Sequence, residues 1–208
     1  MNKFLWLLVA FFIVSCSKDE NNESVYKMYG VVREDTNTSG KLYIRSDEGQ
    51  IIIPASSFLS IDDRNSRVWI LFYTSDNVNN SDTIKTNIHE FLKITEIDFN
   101  AETASTSDNV FLQKIWVAQD YLTLIMDVTA LNEDSLEKHK YAMYSNWETV
   151  NDTVRMEFKY VRNNDSGNVQ FSKTVALKLD DKITNPKTVV LAIKYQTNTG
   201  NKEVFITY

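Results

Sequence analysis

Cysteine occurs once in these 208 residues and histidine only twice. A single thiol forms no internal disulfide, so the fold has to rest on buried apolar surface, for which 43% apolar residues are sufficient. Two imidazoles and one thiol are also too few nitrogen and sulfur ligands for a zinc site. No cofactor motif appears either. Basic side chains are outnumbered, 22 against 28 acids, and the net charge of −6 argues against nucleic acid or an anionic membrane surface, both of which call for clustered Lys and Arg. Long apolar runs are scarce as well. The one from Phe4 to Val14 covers 11 residues, short of the ~20 that a membrane-spanning helix needs.

That run has the length of the apolar stretch of a secretion signal, with Lys3 supplying the positive charge before it. It ends in Ile13-Val14-Ser15-Cys16, which resembles the bacterial lipobox: a branched aliphatic residue, then a small residue, then cysteine. Residues 1–15 are therefore expected to be removed between Ser15 and Cys16, with Cys16 lipidated. Each buried methylene of such an acyl chain contributes ~0.8 kcal/mol, so two or three chains hold firmly. The membrane is then a partner through lipid alone. Residues 16–24 are polar and read as a tether. Lys18-Asp19-Glu20 within it also resembles the acidic surface-export signal of Bacteroidetes lipoproteins, with an ordinary solvated tether as the alternative. The expected location is the outer membrane, on its surface or its periplasmic face.

Beyond the tether the dominant periodicity is two, which marks half-buried strands. Val154, Met156, Phe158 and Tyr160 alternate with charged residues, as do Leu122, Leu124, Met126 and Val128 with mostly polar ones. Turn residues separate such runs, for instance Asp47-Glu48-Gly49, Asn163 to Asn168 and Asn198 to Asn201. An all-β, antiparallel fold follows. One short helix is conceivable at Asn132 to Lys138, capped by Asn132. Residues 99–109 are polar apart from Phe99 and Ala and read as a linker. Five strands before it, in residues 25–98, fit an OB-like barrel, the last of them running from Ile84 to Asp98. Seven after it, in residues 110–208, fit an antiparallel β-sandwich.

These halves together resemble the NigD-like lipoproteins of Bacteroidetes. The resemblance rests on Tyr29-Gly30-Val31-Val32, Asp47-Glu48-Gly49 with Ile53-Pro54-Ala55, Arg67-Val68-Trp69-Ile70 and Ile94-Thr95-Glu96-Ile97. In the second half it rests on Trp116, Asp120-Tyr121-Leu122 and Lys138-His139. It implies an N-terminal OB domain followed by a C-terminal β-sandwich, and it implies no activity, so no catalytic residues carry over. Lys159-Tyr160-Val161-Arg162 stands where the family tends to carry an Arg-His pair.

His89 and His139 are the only candidate imidazole bases, and each reads as an ordinary half-exposed strand or loop histidine. Asp62-Asp63 and Asp180-Asp181 read as turn or solvated acids, because adjacent strand residues point to opposite faces. The stretch Asp76 to Asp82 is rich in oxygen ligands but lacks the glycine and terminal glutamate of a calcium loop. Tyr29, Tyr43, Trp69 and Tyr73 suit the stacking of bases, yet the surrounding cations, Arg67 among them, are diluted by acids, and core aromatics are the better reading. Tyr141, Met143, Ser145 and Trp147 share a strand face that either fills a core or receives a sugar or peptide.

The sequence thus points to a non-catalytic envelope lipoprotein, a binding or accessory scaffold for a macromolecule or glycan. An envelope hydrolase using two carboxylates distant in sequence is the competing class. Asp-Ser/Thr-aliphatic tripeptides, which resemble Bacteroidetes O-glycan acceptors, occur at Thr83, Ser135 and Thr153. All three fall at expected loops or element edges, as a bulky glycan requires.

Overall fold

The computed structural model describes residues 23–38, 40–56, 58–74, 78–99, 107–145, 149–179 and 189–207, and among them no α-helix occurs. Ser15, Cys16, residues 100–106 of the expected linker, Trp147 and Asp180-Asp181 lie outside the described residues. The all-β expectation is borne out.

In the first half, β1 (Ser24–Glu34) pairs antiparallel with β2 (Leu42–Ser46) and β4 (Arg67–Thr74). Outside β2 lie β3 (Ile51–Pro54) and then β5 (Thr83–Thr86), and outside β4 lies β6 (Ile88–Lys93). The stretch read as one strand from Ile84 is broken at Asn87. Its first piece runs parallel to β3 and its second antiparallel to β4. The two ends of the six-strand order are thus one residue apart in the chain, and Thr86 Oγ1 donates to the Tyr73 carbonyl at 2.8 Å across the seam. This is the strand order of an OB barrel, with the sixth strand produced by the bend. Ile44, Ile52, Ile70, Phe72 and Ile84 point inward and fill it. β1 approaches β2 so closely that a Cβ on Gly30 would lie 2.6 Å from the Arg45 carbonyl oxygen.

The second half is a sandwich. One sheet carries β9 (Phe111–Ala118), β10 (Tyr121–Ala130), β14 (Val169–Lys178) and the short β7 (Thr95–Glu96). The other carries β8 (Asp98–Phe99), β11 (Lys140–Tyr144), β13 (Thr153–Val161), β15 (Val190–Thr197) and β16 (Gly200–Thr207), with β12 (Thr149–Val150) against β13. Both period-two runs behave as expected: Leu122, Leu124, Met126 and Val128 join Val154, Met156, Phe158 and Tyr160 in one core. β13 and β15 are parallel, because the strand between them, β14, lies in the opposite sheet. β7 and β8 add to different sheets, so the chain leaving the barrel is stitched into both layers within residues 95–99. In place of an α-helix, Asp134–Lys138 forms a 3-10 turn, and Asn132 Oδ1 accepts the Ser135 N–H at 2.9 Å.

Candidate functional site

Barrel and sandwich meet around Arg67, the first residue of β4, whose side chain has no solvent exposure. Its Nη1 and Nη2 donate to the two carboxylate oxygens of Asp47 at 2.5 and 2.6 Å, and its Nε donates to Thr123 Oγ1 of β10 at 3.1 Å. The same Asp47 accepts from Trp116 Nε1 of β9 at 2.7 Å. The guanidinium carbon lies 5.8 Å from the Tyr29 ring centre and 6.0 Å from that of Trp116. Each of the three guanidinium nitrogens has an acceptor, and such pairing is what a buried ion pair requires to offset its desolvation. Arg67 was expected among the diluted surface cations. It is instead fully buried, because the sandwich covers this face of the barrel.

Around that pair Val31, Ile94, Tyr121 and Ala176 form a small apolar cluster joined by Tyr29 and Trp69. Tyr121 donates to the Asn65 carbonyl at 2.5 Å, and its hydroxyl is pushed up to about 12 by burial and by the Glu96 carboxylate beside it. The tight β9–β10 turn, with positive φ at Gln119 and Asp120, also docks on the barrel. Gln119 Nε2 donates to the Ser46 carbonyl, and Arg33 pairs with Asp120 at 3.2 Å.

A second polar cluster lies inside the sandwich. His139 is buried rather than half-exposed, and His89 is exposed. His139 Nε2 lies 3.0 Å from Asp165 Oδ2 and its Nδ1 lies 2.8 Å from the Tyr160 hydroxyl. A carboxylate only accepts, so Nε2 is the donor to Asp165; with the ring neutral, Nδ1 is then the acceptor for the Tyr160 hydroxyl. Ser135 Oγ donates to that same Asp165 oxygen at 2.7 Å. Serine and imidazole are thus both bound to the carboxylate, and the imidazole does not take the serine proton as a nucleophilic pair needs. The Gly167 N–H at 2.7 Å, together with the Ser135 and His139 donors and the Leu131 N–H, holds the Asp165 carboxyl far below its ordinary range despite burial. The cluster fastens the 131–139 and 162–167 loops.

Of the paired acids, Asp62 is exposed as expected, but Asp63 is buried. Burial pushes its carboxyl up, and the opposing Lys93 ammonium at 2.6 Å with the Ser60 N–H at 2.7 Å outweighs that, leaving it lowered. Tyr141 and Met143 fill the sandwich core. Among the described residues no group of three or more His, Cys, Asp or Glu is placed to hold a metal.

Two of the larger concave surfaces among the described residues bear on function. A groove of 830 Å³ lies on the outer face of β2 and β3, floored by Tyr43, Ile51, Ile53 and Pro54. Asp35, Thr36, Asn37, Gly40 and Lys41 after β1 line it, as do Lys85 and Thr83 of β5. OB barrels bind oligonucleotides and oligosaccharides on this face of strands 2 and 3. The second, a cleft of 780 Å³, opens at one end of the sandwich between the two sheets. Asp108 and Asp127, distant in sequence, both line it. Each is already engaged, Asp108 by the Arg162 N–H and Asp127 by Gln113.

The model of the NigD-like C-terminal β-sandwich domain matches residues 90–208, more than half of the chain. The chain belongs to the NigD-like family. The match begins within β6, ahead of the strands that stitch into the sandwich. A NigD-like immunity protein from Bacteroides caccae superposes with a TM-score of 0.58 at 18% identity, over 88% of this chain and 90% of that one. A protein described as toxin-related from Parabacteroides distasonis gives 0.69 at 16% identity, over 89% and 93%. One described as a lipoprotein from Bacteroides fragilis gives 0.61 at 12%, over 89% and 98%. At such identities the likeness is one of fold, and it spans barrel and sandwich together. No curated protein matches.

Proposed function

We propose that this NigD-like protein is a cell-envelope lipoprotein of the outer membrane, anchored by acyl chains on Cys16 after cleavage behind Ser15, that works by binding a macromolecule or glycan. The groove on β2 and β3 carries this reading. Ile44, Ile52 and Ile84 fill the barrel from one face of their strands. On the opposite face, Tyr43, Ile51 and Ile53 form an apolar floor that the core does not use. Apolar floors with a few polar groups at the rim, here Lys41, Lys85 and Asp35, are the usual construction of a binding site.

A photo-crosslinking residue in place of Tyr43, expressed in the native host, is expected to capture one partner, and the added substitution Ile53→Asp abolishes that capture. Equal capture from position 48, on an exposed turn away from the groove, defeats the proposal. Anchoring is tested separately: Cys16→Ala removes incorporation of labelled fatty acid, and label retained on that variant overturns the anchor.

A further inference from the structure

The cleft at the end of the sandwich carries an inference that does not depend on the groove or on its partner. It lies at the other end of β9 and β10 from Trp116 and Thr123, which meet the barrel, and β15 and β16 of the opposite sheet supply its second wall. Its walls are the ends of both layers: Phe111, Asp127 and Gln170 from the first sheet, Tyr195 and Lys202 from the second, with Arg162 just past the end of β13. Its 780 Å³ falls inside the range of about 300–1,000 Å³ typical of small-ligand sites.

Three features decide what fits. First, the charges cancel: Asp108 and Asp127 face Arg162 and Lys202, so neither an anionic nor a cationic ligand gains a net attraction. Second, the polar groups are of both kinds. Carboxylates accept, Arg162 and Lys202 donate, and the Gln170 and Asn198 amides with the Thr129 hydroxyl do either. Vicinal hydroxyls, each at once donor and acceptor, match such a mixture, whereas a purely apolar ligand leaves it unpaired at a cost. Third, an aromatic ring stands open at the mouth. Phe111 keeps 64% of its surface exposed at the start of β9, and Tyr195 of β15 supplies a second ring inside. A sugar ring has an apolar C–H face and a polar rim, and aromatic side chains cover that face while hydrogen-bonding groups take the rim.

Asp127 and Arg162 are also held before any ligand arrives. Asp127 accepts from the Gln113 amide of β9, and the Arg162 guanidinium donates to the carbonyl of Gly167, a residue whose own N–H donates to Asp165. Groups fixed in this way lose little freedom on binding. From this geometry we infer that the inter-sheet cleft is a binding site for a neutral oligosaccharide, stacked on Phe111 and hydrogen-bonded by Gln170, Asp127 and Arg162.

The test uses the whole chain in a detergent without a sugar headgroup, probed on a printed array of neutral and acidic glycans. At least one neutral glycan is expected to bind, and Phe111→Ala weakens it about tenfold through loss of one aromatic contact. Gln170→Ala does the same without touching a buried side chain. Tyr43→Ala, in the groove, leaves it unchanged. Binding confined to acidic glycans overturns the inference, as does binding that survives both cleft substitutions. An array on which nothing binds overturns it too, and leaves the crosslinking result at Tyr43 standing or falling by itself. Near-ultraviolet circular dichroism of both variants shows whether a loss reflects the cleft or an unfolded sandwich.

Discussion

The barrel and the sandwich differ first in what holds them. Among the described residues, twenty buried ones form the sandwich core, from Ile97 to Ile193, whereas eight form that of the barrel. A domain of about 60 residues buries only about 60% of its unfolded surface and is correspondingly marginal. The barrel offsets this at its contact with the sandwich, where Arg67, Asp47, Trp116 and Thr123 satisfy one another out of water. The smaller half therefore depends on the larger one more than the larger depends on it.

The sharpest way to break this asymmetry is to separate the halves. Residues 23–94 alone are expected to lose cooperative thermal unfolding, because Arg67 and Asp47 then face water and Val31 and Ile94 lose Tyr121 and Ala176. Residues 90–208, which retain the twenty-residue core, are expected to unfold cooperatively with a lowered midpoint. A barrel fragment as cooperative as the whole chain refutes the dependence. In the whole chain, Arg67→Met leaves the Asp47 carboxylate partly buried beside Trp116 without its cation. Breaking a buried pair costs about 3–5 kcal/mol, read as a shift in the denaturant midpoint. The double variant Arg67→Met with Asp47→Leu should recover much of that loss, since an apolar pair of similar volume is often no worse than the ions.

Much of this architecture is legible in the chain, and what is not has a physical reason. Period two exposes the strands because one face of each is buried, and the runs from Leu122 and Val154 need no distant information. The break at Asn87 is invisible to periodicity, since both pieces are strand. Arg67 is missed for a different reason: its partners lie 20 and 56 positions away, and Trp116 meets Asp47 from 69 away. Locally it looks like any strand cation. A faint trace exists at Thr123, where β10 is buried on both faces from Tyr121 to Leu124, but its sequence alternates like a one-sided strand. His139 and Asp165 sit in polar loops that read as solvated, and only the fold brings the two loops over the core. The sandwich-end cleft is assembled from strand ends in both sheets, a juxtaposition set by topology alone.

Acid sharpens the comparison from the side of the sandwich. The donors around Asp165 lower its carboxyl in the folded state, so the unfolded chain binds the proton more tightly. Its contribution is complete above the unfolded value near ~3.9 and is lost as pH falls from there towards the folded value. The wild-type protein is thus expected to lose stability below about pH 4, while Asp165→Asn, already lacking the charge, shows a flatter profile there. At neutral pH the substitution is expected to lower the denaturant midpoint, because the amide cannot accept all the hydrogen bonds that the carboxylate takes from Gly167, Ser135, His139 and Leu131. Profiles of equal slope for the two proteins remove Asp165 as the source. Tyr121 works at the other extreme. Its hydroxyl is raised to about 12, so its contribution is intact below pH 10 and declines between about 10 and 12. Tyr121→Phe should flatten that alkaline limb, which reports on the contact between the halves.

The smallest effect concerns the acceptor sites, and it again sets barrel against sandwich. Thr83 opens β5 and is exposed, and Thr153 opens β13 and is half-buried. Ser135 is half-buried as well, with its hydroxyl donating to Asp165 and close to the Asn132 carbonyl. A glycosyl group attaches to a free hydroxyl on an open surface. Protein from the native host is therefore expected to exceed its polypeptide and lipid mass. Most of that excess should vanish with Thr83→Ala, less with Thr153→Ala and least with Ser135→Ala. Removing the Thr83 hydroxyl from an exposed strand end should change stability by no more than about 0.5 kcal/mol, so a change in mass there is not a folding defect. Thr83 also borders the groove on β2 and β3. A glycan on it competes with whatever docks against Tyr43, and Thr83→Ala should then raise crosslinking at that position. An intact mass accounted for by chain and lipid alone ends the expectation at all three residues.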